Sequence, residues 1–225
     1  MNPILRPVRA LAAAAAGLLA AACASQPPPD WQMNARQSID TAVAAYLEGN
    51  ARVEAAETAR ARSEIARTGR LDLLARAELM RCAARVASLV FEPCLGFEKL
   101  RADAAPAERA YADYLAGRIQ GQDIERLPAP HRAVADARSS AEAAASALAG
   151  IDDPLSRLIA AGALFHGSRA SPQTLQIAVD TASAQGWRRP LLAWLGVQLI
   201  RAEQAGDTTE AQQLRRKIDV VREGR

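Results

Sequence analysis

Aromatic residues make up only 4% of this 225-residue chain, so it has few rings for the stacking platforms on which single-stranded nucleic acids bind. The chain also lacks a concentrated basic stretch. Its densest basic group, residues 215–217, lies on a predicted helix that also carries Glu210 and Asp219. A solvated helix face explains that group, and we therefore expect no nucleic-acid partner.

Strand patterns are missing as well. No segment combines sustained apolar–polar alternation with β-branched residues, whereas the good helix formers Ala, Leu, Arg, Glu and Gln are abundant. Glycines and prolines interrupt the helical pattern at intervals that divide the chain into about nine helices of ordinary length. The sequence therefore predicts an all-α fold, built as an array of antiparallel helix pairs.

Chemical motifs are equally scarce. Neither His131 nor His166 has a serine or cysteine nucleophile at a family spacing. We expect His131 to lie exposed in a turn and His166 to have a structural role at a helix end, where a cation suits the helix dipole. Four metal ligands are not clustered, and the two-residue cysteine spacing of redox catalysts is absent. The expectation is a non-enzymatic protein without a metal or other cofactor.

The most informative segment that is present is the first 23 residues. Arg6 and Arg9 precede an apolar run that begins near Ala10 and ends in small residues directly before Cys23. A basic start, an apolar stretch and a small-residue cleavage site are the features of a secretory signal. The run is too short to cross about 30 Å of hydrocarbon at about 1.5 Å per residue.

This order of residues resembles the signal peptide of bacterial lipoproteins, whose cysteine is lipidated and becomes the mature N-terminus. The family prefers leucine where this chain has Ala20, and an ordinary secretory signal cut after Ala22 or Ala24 is the alternative. The resemblance implies that Cys23 carries acyl chains that anchor the protein to a membrane. It also implies sorting to the outer membrane, because Ala24 stands where an aspartate would mark retention at the inner membrane. We expect the domain to face the periplasm, and the cell exterior is the alternative.

The resulting organisation has three parts. Residues 1–22 form the signal peptide, residues 23–30 hold the lipidated cysteine and a proline-rich tether, and residues 31–225 form the helical domain. Loss of Arg6 and Arg9 with the signal leaves 26 basic residues against 25 acidic ones, a net charge of +1. The mature protein is thus nearly neutral.

Cysteine count supports lipidation of the first cysteine. An exported protein with three cysteines has one left over, and lipidation of Cys23 leaves Cys82 and Cys94 to pair. Cys82 lies on a predicted helix, and the chain can reverse at Pro93 to bring Cys94 back against it. We predict a disulfide in the oxidising envelope, and two buried free thiols are the alternative.

The C-terminal part of the chain, residues 155–222, contains a 34-residue offset between similar positions. It relates Leu158 to Leu192, Gly162 to Gly196, and Phe165 to Leu199. A period of 34 with a small residue in the first helix of each pair resembles the tetratricopeptide repeat. The resemblance implies that both glycines lie where neighbouring helices approach closely. The fold is then a tetratricopeptide-like solenoid, and an irregular helical bundle with chance spacing is the alternative.

Paired-helix arrays build extended concave surfaces, which suits binding to another protein. We therefore expect an envelope lipoprotein that serves as a protein-binding scaffold or as an assembly or accessory factor. One alternative is a cell-wall hydrolase or an accessory to a peptidoglycan enzyme, although the Glu-Ser dipeptide of lytic transglycosylases is missing. Another is a structural lipoprotein without a tight partner.

Overall fold

The computed structural model describes residues 27–137 and 140–224, so the predicted signal, Cys23 and residues 24–26 of the tether lie outside the described residues. The described residues form helices and no strand, which confirms the all-α prediction. The helices are α1 (Asp30–Glu48), α2 (Ala51–Ala66), α3 (Leu71–Ala87), α4 (Leu95–Glu98), α5 (Pro106–Leu115), α6 (Ala129–Asp136), α7 (Ala141–Ala149), α8 (Pro154–His166), α9 (Pro172–Ala184), α10 (Arg188–Gln204) and α11 (Thr208–Glu223), with a 3-10 helix at Gly121–Arg126.

The helix boundaries follow the local sequence signals. The side chains of Asp153, Ser171 and Asp207 each accept a hydrogen bond from the backbone N–H three residues later, at the starts of α8, α9 and α11. Such caps each contribute about 1 kcal/mol. Gly49 ends α1 in the left-handed conformation, at φ 91°. The break before α7, which Ser140 caps, has no glycine or proline and is not predicted by the sequence.

The centre of the core is the contact between α3 and α8. Every residue of α8 from Leu158 to Leu164 is buried, and α8 packs against α3, α5, α6, α7 and α9. Gly162 makes the α3 contact possible, because a Cβ atom there would overlap the carbonyl oxygen of Val86 and lie 2.8 Å from its carbonyl carbon. The predicted close helix contact at Gly162 is thus confirmed, with α3 as the neighbour.

Two further contacts attach the remaining helices to α3. Trp194 of α10 is fully buried, and its indole Nε1 donates a 3.0 Å hydrogen bond to the carbonyl of Ala87 at the C-terminus of α3. The α1–α2 hairpin is held through Tyr46, whose ring lies between the guanidinium groups of Arg85 and Arg189 at 4.9 and 4.4 Å. Cation–π contacts of this kind contribute about 0.5–2 kcal/mol.

The C-terminal helices α9, α10 and α11 pack in chain order, each against the next. The expected close helix contact at Gly196 of α10 is wrong, because a Cβ atom there would meet no atom within 4 Å. Leu158 is fully buried, whereas Leu192 is only half-buried. The 34-residue offset therefore relates positions with different environments, because α8 is surrounded by helices and α10 lies in an outer layer.

Over residues 27–137 and 140–224, no helix is both long enough and apolar enough to span a bilayer.

Candidate functional site

The outer layer of C-terminal helices forms a groove of about 640 Å³. We call it the C-terminal groove. Its apolar lining comes from Val179 of α9, Leu191 and Leu195 of α10, and Val220 and Val221 of α11. Val220 is 69% exposed, so this apolar surface is open to solvent at one edge. An exposed apolar strip between helices is typical of a surface that a partner covers.

Charged side chains of both signs border the C-terminal groove. Asp180 and Glu210 are the acidic residues at its border, and Arg216 and Lys217 are the basic ones. Asp180 accepts a 2.8 Å hydrogen bond from Gln176, whereas Arg216 and Lys217 make no ion pair with any residue that the structure describes. The groove therefore offers two unpaired cations beside an apolar floor.

A second concave surface surrounds the cysteines. Cys82 and Cys94 form a disulfide with their Cα atoms 6.0 Å apart, as the sequence predicts. The bond ties the segment after α3 and the short helix α4 to the side of α3. It borders a cavity of about 520 Å³ between α3, this segment, α5 and the end of α8, which we call the disulfide cleft.

Three arginines line the disulfide cleft: Arg81 and Arg85 on α3, and Arg118 after α5. Arg85 pairs with Glu54 at 3.0 Å, and Arg118 pairs with Asp113 at 3.1 Å. This group of arginines was not predicted from the sequence. The sequence does contain a signal for it. Arg81 and Arg85 are four residues apart on a predicted helix and therefore lie on one face, and a cysteine directly follows Arg81.

Arg81 also neutralises a buried carboxylate. Glu78 is 2% exposed, and its two oxygens lie 3.0 Å from Arg62 and 3.2 Å from Arg81. Gly96 of α4 packs directly on Glu78, since a Cβ atom there would overlap the carboxylate. Removing either cation would leave a buried charge partly uncompensated, which is the costly way to break such a pair.

His166 lies on the wall of the disulfide cleft as the last residue of α8, the helix-end position that the sequence predicts. Its ring stacks on Phe91 with the centroids 4.2 Å apart. Its Nδ1 lies 3.1 Å from the carbonyl oxygen of Leu115. A carbonyl only accepts hydrogen bonds, so Nδ1 carries the proton and Nε2 is the remaining ring nitrogen.

The prediction that His131 lies exposed in a turn is wrong. The residue lies in the first turn of α6, where it is 3% exposed and packs between Tyr111 and Tyr114 of α5 at 5.5 and 5.1 Å. Its Nδ1 has no hydrogen-bond partner among the described residues. Burial lowers the pKa of His131 to about 4, against a weaker opposing effect of Asp153. The sequence suggested a turn because prolines flank it, but those prolines start a helix whose inner face carries the imidazole.

Two described acidic groups have shifted pKa values, and both shifts are downward. The described acids whose surroundings shift the pKa are Asp72, lowered to about 2 chiefly by a hydrogen bond from Arg70, and Glu98, lowered chiefly by Arg101. A general acid for glycan cleavage would need a raised pKa. Over the described ranges, no three His, Cys, Asp or Glu residues are grouped so as to hold a metal ion.

The chain matches no protein-family model, no curated protein and no solved structure.

Proposed function

We propose that this protein is a lipid-anchored, non-enzymatic protein of the bacterial outer membrane that binds a protein partner through its C-terminal groove. The observation that carries the proposal is the groove itself, with its apolar floor, its open edge at Val220 and its two unpaired cations. The order of residues 6–23, from basic to apolar to small to cysteine, supports the anchor.

The dimensions of the groove suit a helical partner segment. The lining residues extend over positions 176–183 of α9, 191–198 of α10 and 210–221 of α11, which corresponds to about 10–17 Å along each helix. An amphipathic helix of two to three turns, about ten residues, fits that length with its apolar face on the floor. Arg216 and Lys217 form no ion pair with any described residue, so we expect the partner segment to carry carboxylates that face them.

The anchor keeps the domain beside the membrane. Residues 24–29 separate Cys23 from the start of α1 at Asp30, and they include three prolines that favour a short extended spacer. A partner in the same envelope compartment therefore meets the groove near the membrane surface.

The anchor is tested by replacing Cys23 with serine. The variant should appear in the soluble envelope fraction or keep its signal uncut, because acyl chains hold the normal protein in the membrane. A Cys23→Ser protein that matures normally and still fractionates with membranes would contradict the anchor.

The groove is tested by site-specific photo-crosslinking in intact cells. A photoreactive residue at Gln213, which lines the groove, should give a discrete higher-mass adduct. The matched control is Gln212, an equally exposed neighbour on α11 outside the groove, which should give none. Equal yields at both positions, or no adduct at Gln213, would favour a structural lipoprotein without a tight partner.

A further inference from the structure

We propose that the disulfide cleft is a binding site for a small anionic ligand, a carboxylate or phosphate group joined to an apolar moiety. The site is separate from the C-terminal groove, so its test is independent of the proposed protein partner.

The charge of the cleft favours an anion. Arg81, Arg85 and Arg118 line it together with two carboxylates, Glu92 and Glu98, so the charged lining residues sum to +1. Glu98 is itself hydrogen-bonded by Arg101, at 2.8 and 2.9 Å. Arg85 and Arg118 are likewise paired, with Glu54 and Asp113, so a ligand anion binds to the guanidinium donors that these pairs leave unused.

Arg81 has unused hydrogen-bonding capacity. Among the described residues, the one polar contact of its guanidinium is the 3.2 Å bond from a terminal nitrogen to Glu78, and its side chain is 39% exposed. Glu78 thus orients the guanidinium while the other donors remain available to a ligand. A guanidinium presents its donors in a planar fork that matches carboxylate and phosphate oxygens.

The remaining walls of the cleft fit an apolar group beside the anion. Leu79 and Val86 of α3, Leu115 of α5 and Phe91 contribute apolar surface. The Phe91 ring stacks on the His166 ring, and the hydrogen bond from His166 to the Leu115 carbonyl fixes the orientation of the imidazole. The cavity volume of about 520 Å³ lies within the ordinary range for small-molecule sites.

The disulfide pre-organises this site. It fixes Cys94 against α3 and so holds the segment that carries Phe91 and Glu92 over the cleft. A wall that is already in place when the ligand arrives costs less ordering entropy on binding. The cleft is therefore complete only in the oxidised protein.

The test is calorimetric titration of the mature protein in detergent micelles with three probes: phenyl phosphate, phenylacetate and benzyl alcohol. We expect saturable binding of at least one anionic probe at millimolar concentration or below, and none of the neutral alcohol. Tighter binding of phenyl phosphate identifies a phosphate ligand, and tighter binding of phenylacetate a carboxylate ligand. Absence of binding by both anions at about 10 mM, or equal binding of the alcohol, would overturn the proposal.

Two variants locate the site. Arg118→Gln should weaken binding at least about fivefold, because a charge-assisted hydrogen bond is lost from an exposed position whose removal leaves the core intact. The matched control Arg222→Gln, an exposed arginine on α11 outside the cleft, should bind as the wild type does. The Cys82→Ser/Cys94→Ser protein should lose binding while its circular dichroism stays helical. Equal weakening by the two arginine variants would show non-specific charge attraction and overturn the site.

Discussion

Gly162 and Gly196 stand 34 residues apart on two long helices, yet their surroundings are opposite. Gly162 lies in the middle of α8 against the backbone of α3, with no room for a methyl group. Gly196 lies on α10 beside open space. The first glycine is required by packing, whereas nothing in the packing requires the second.

The same contrast extends to the helices themselves. α8 is enclosed by five neighbouring helices and contributes an unbroken run of buried residues. α11 buries only Ala211, Leu214 and Ile218, and its other face borders the C-terminal groove. The α3–α8 contact thus lies at the centre of the core, while the outer layer of α9 to α11 also leaves apolar and charged surface available for binding.

The largest effect is expected from Gly162→Ala. The added Cβ atom meets the Val86 carbonyl, and a backbone group cannot rotate away as a side chain can. We expect a loss of about 3 kcal/mol or more in unfolding free energy, and a melting temperature lower by about 10 °C. Thermal unfolding followed by circular dichroism measures this. A variant that melts within a degree or two of the wild type would show that α3 and α8 are not in close contact.

Reduction of the disulfide should have the next largest effect. Opening the Cys82–Cys94 loop restores chain entropy to the unfolded state, which corresponds to roughly 3 kcal/mol in the loop-closure model. Urea unfolding with and without reductant measures the change. The bond itself is checked by intact mass after alkylation of the denatured protein. Two alkylated thiols without prior reduction would rule the disulfide out.

Acid should destabilise the core through His131. The pKa of the buried imidazole is about 4, below the ordinary value of about 6.5, so the unfolded chain binds the proton more readily than the folded one. The full stability is therefore present above about pH 6.5 and is lost as the pH falls, by about 2 kcal/mol at pH 5.

Urea unfolding at pH 7.5 and pH 5 tests this effect. His131→Phe should flatten the difference between the two pH values, and the control Tyr111→Phe, which keeps the imidazole, should retain it. An undiminished acid response in His131→Phe would show that His131 is not the group responsible.

The smallest effect is expected from Gly196→Ala. The methyl group enters open space, and alanine is favoured over glycine inside a helix by up to about 1 kcal/mol. The melting temperature should be unchanged or slightly higher, by the same measurement as for Gly162→Ala. A clear destabilisation would mean that α10 has a close neighbour at Gly196, and it would restore the equivalence of the two positions.

Local features were predictable from the sequence because short-range chemistry determines them. The caps at Asp153, Ser171 and Asp207 and the pairing of two cysteines around Pro93 required only neighbouring residues. The environments of distant positions were not predictable in this way. Which helix faces Gly162, and that nothing faces Gly196, depends on packing between segments far apart in the chain.

The candidate sites show the same limit. The predicted groove-forming part, residues 155–222, does contain the C-terminal groove, but the offset that suggested it does not create equivalent positions. The disulfide cleft was missed because it joins α3, α5 and the end of α8. His131 was wrongly predicted to be exposed in a turn, because the prolines beside it are typical of helix starts as well as of turns. Packing against α5 buries its side chain, and the local sequence does not reveal that contact.

The central claim, that exposed side chains of the outer layer bind a partner without contributing to the stability of the fold, is tested most directly by reversing the groove charges. Arg216→Glu/Lys217→Glu changes two exposed side chains that make no ion pair in the described part of the chain. We predict that the photo-crosslinked adduct at Gln213 disappears in this variant while the melting temperature stays that of the wild type. An adduct formed in undiminished yield would contradict the account.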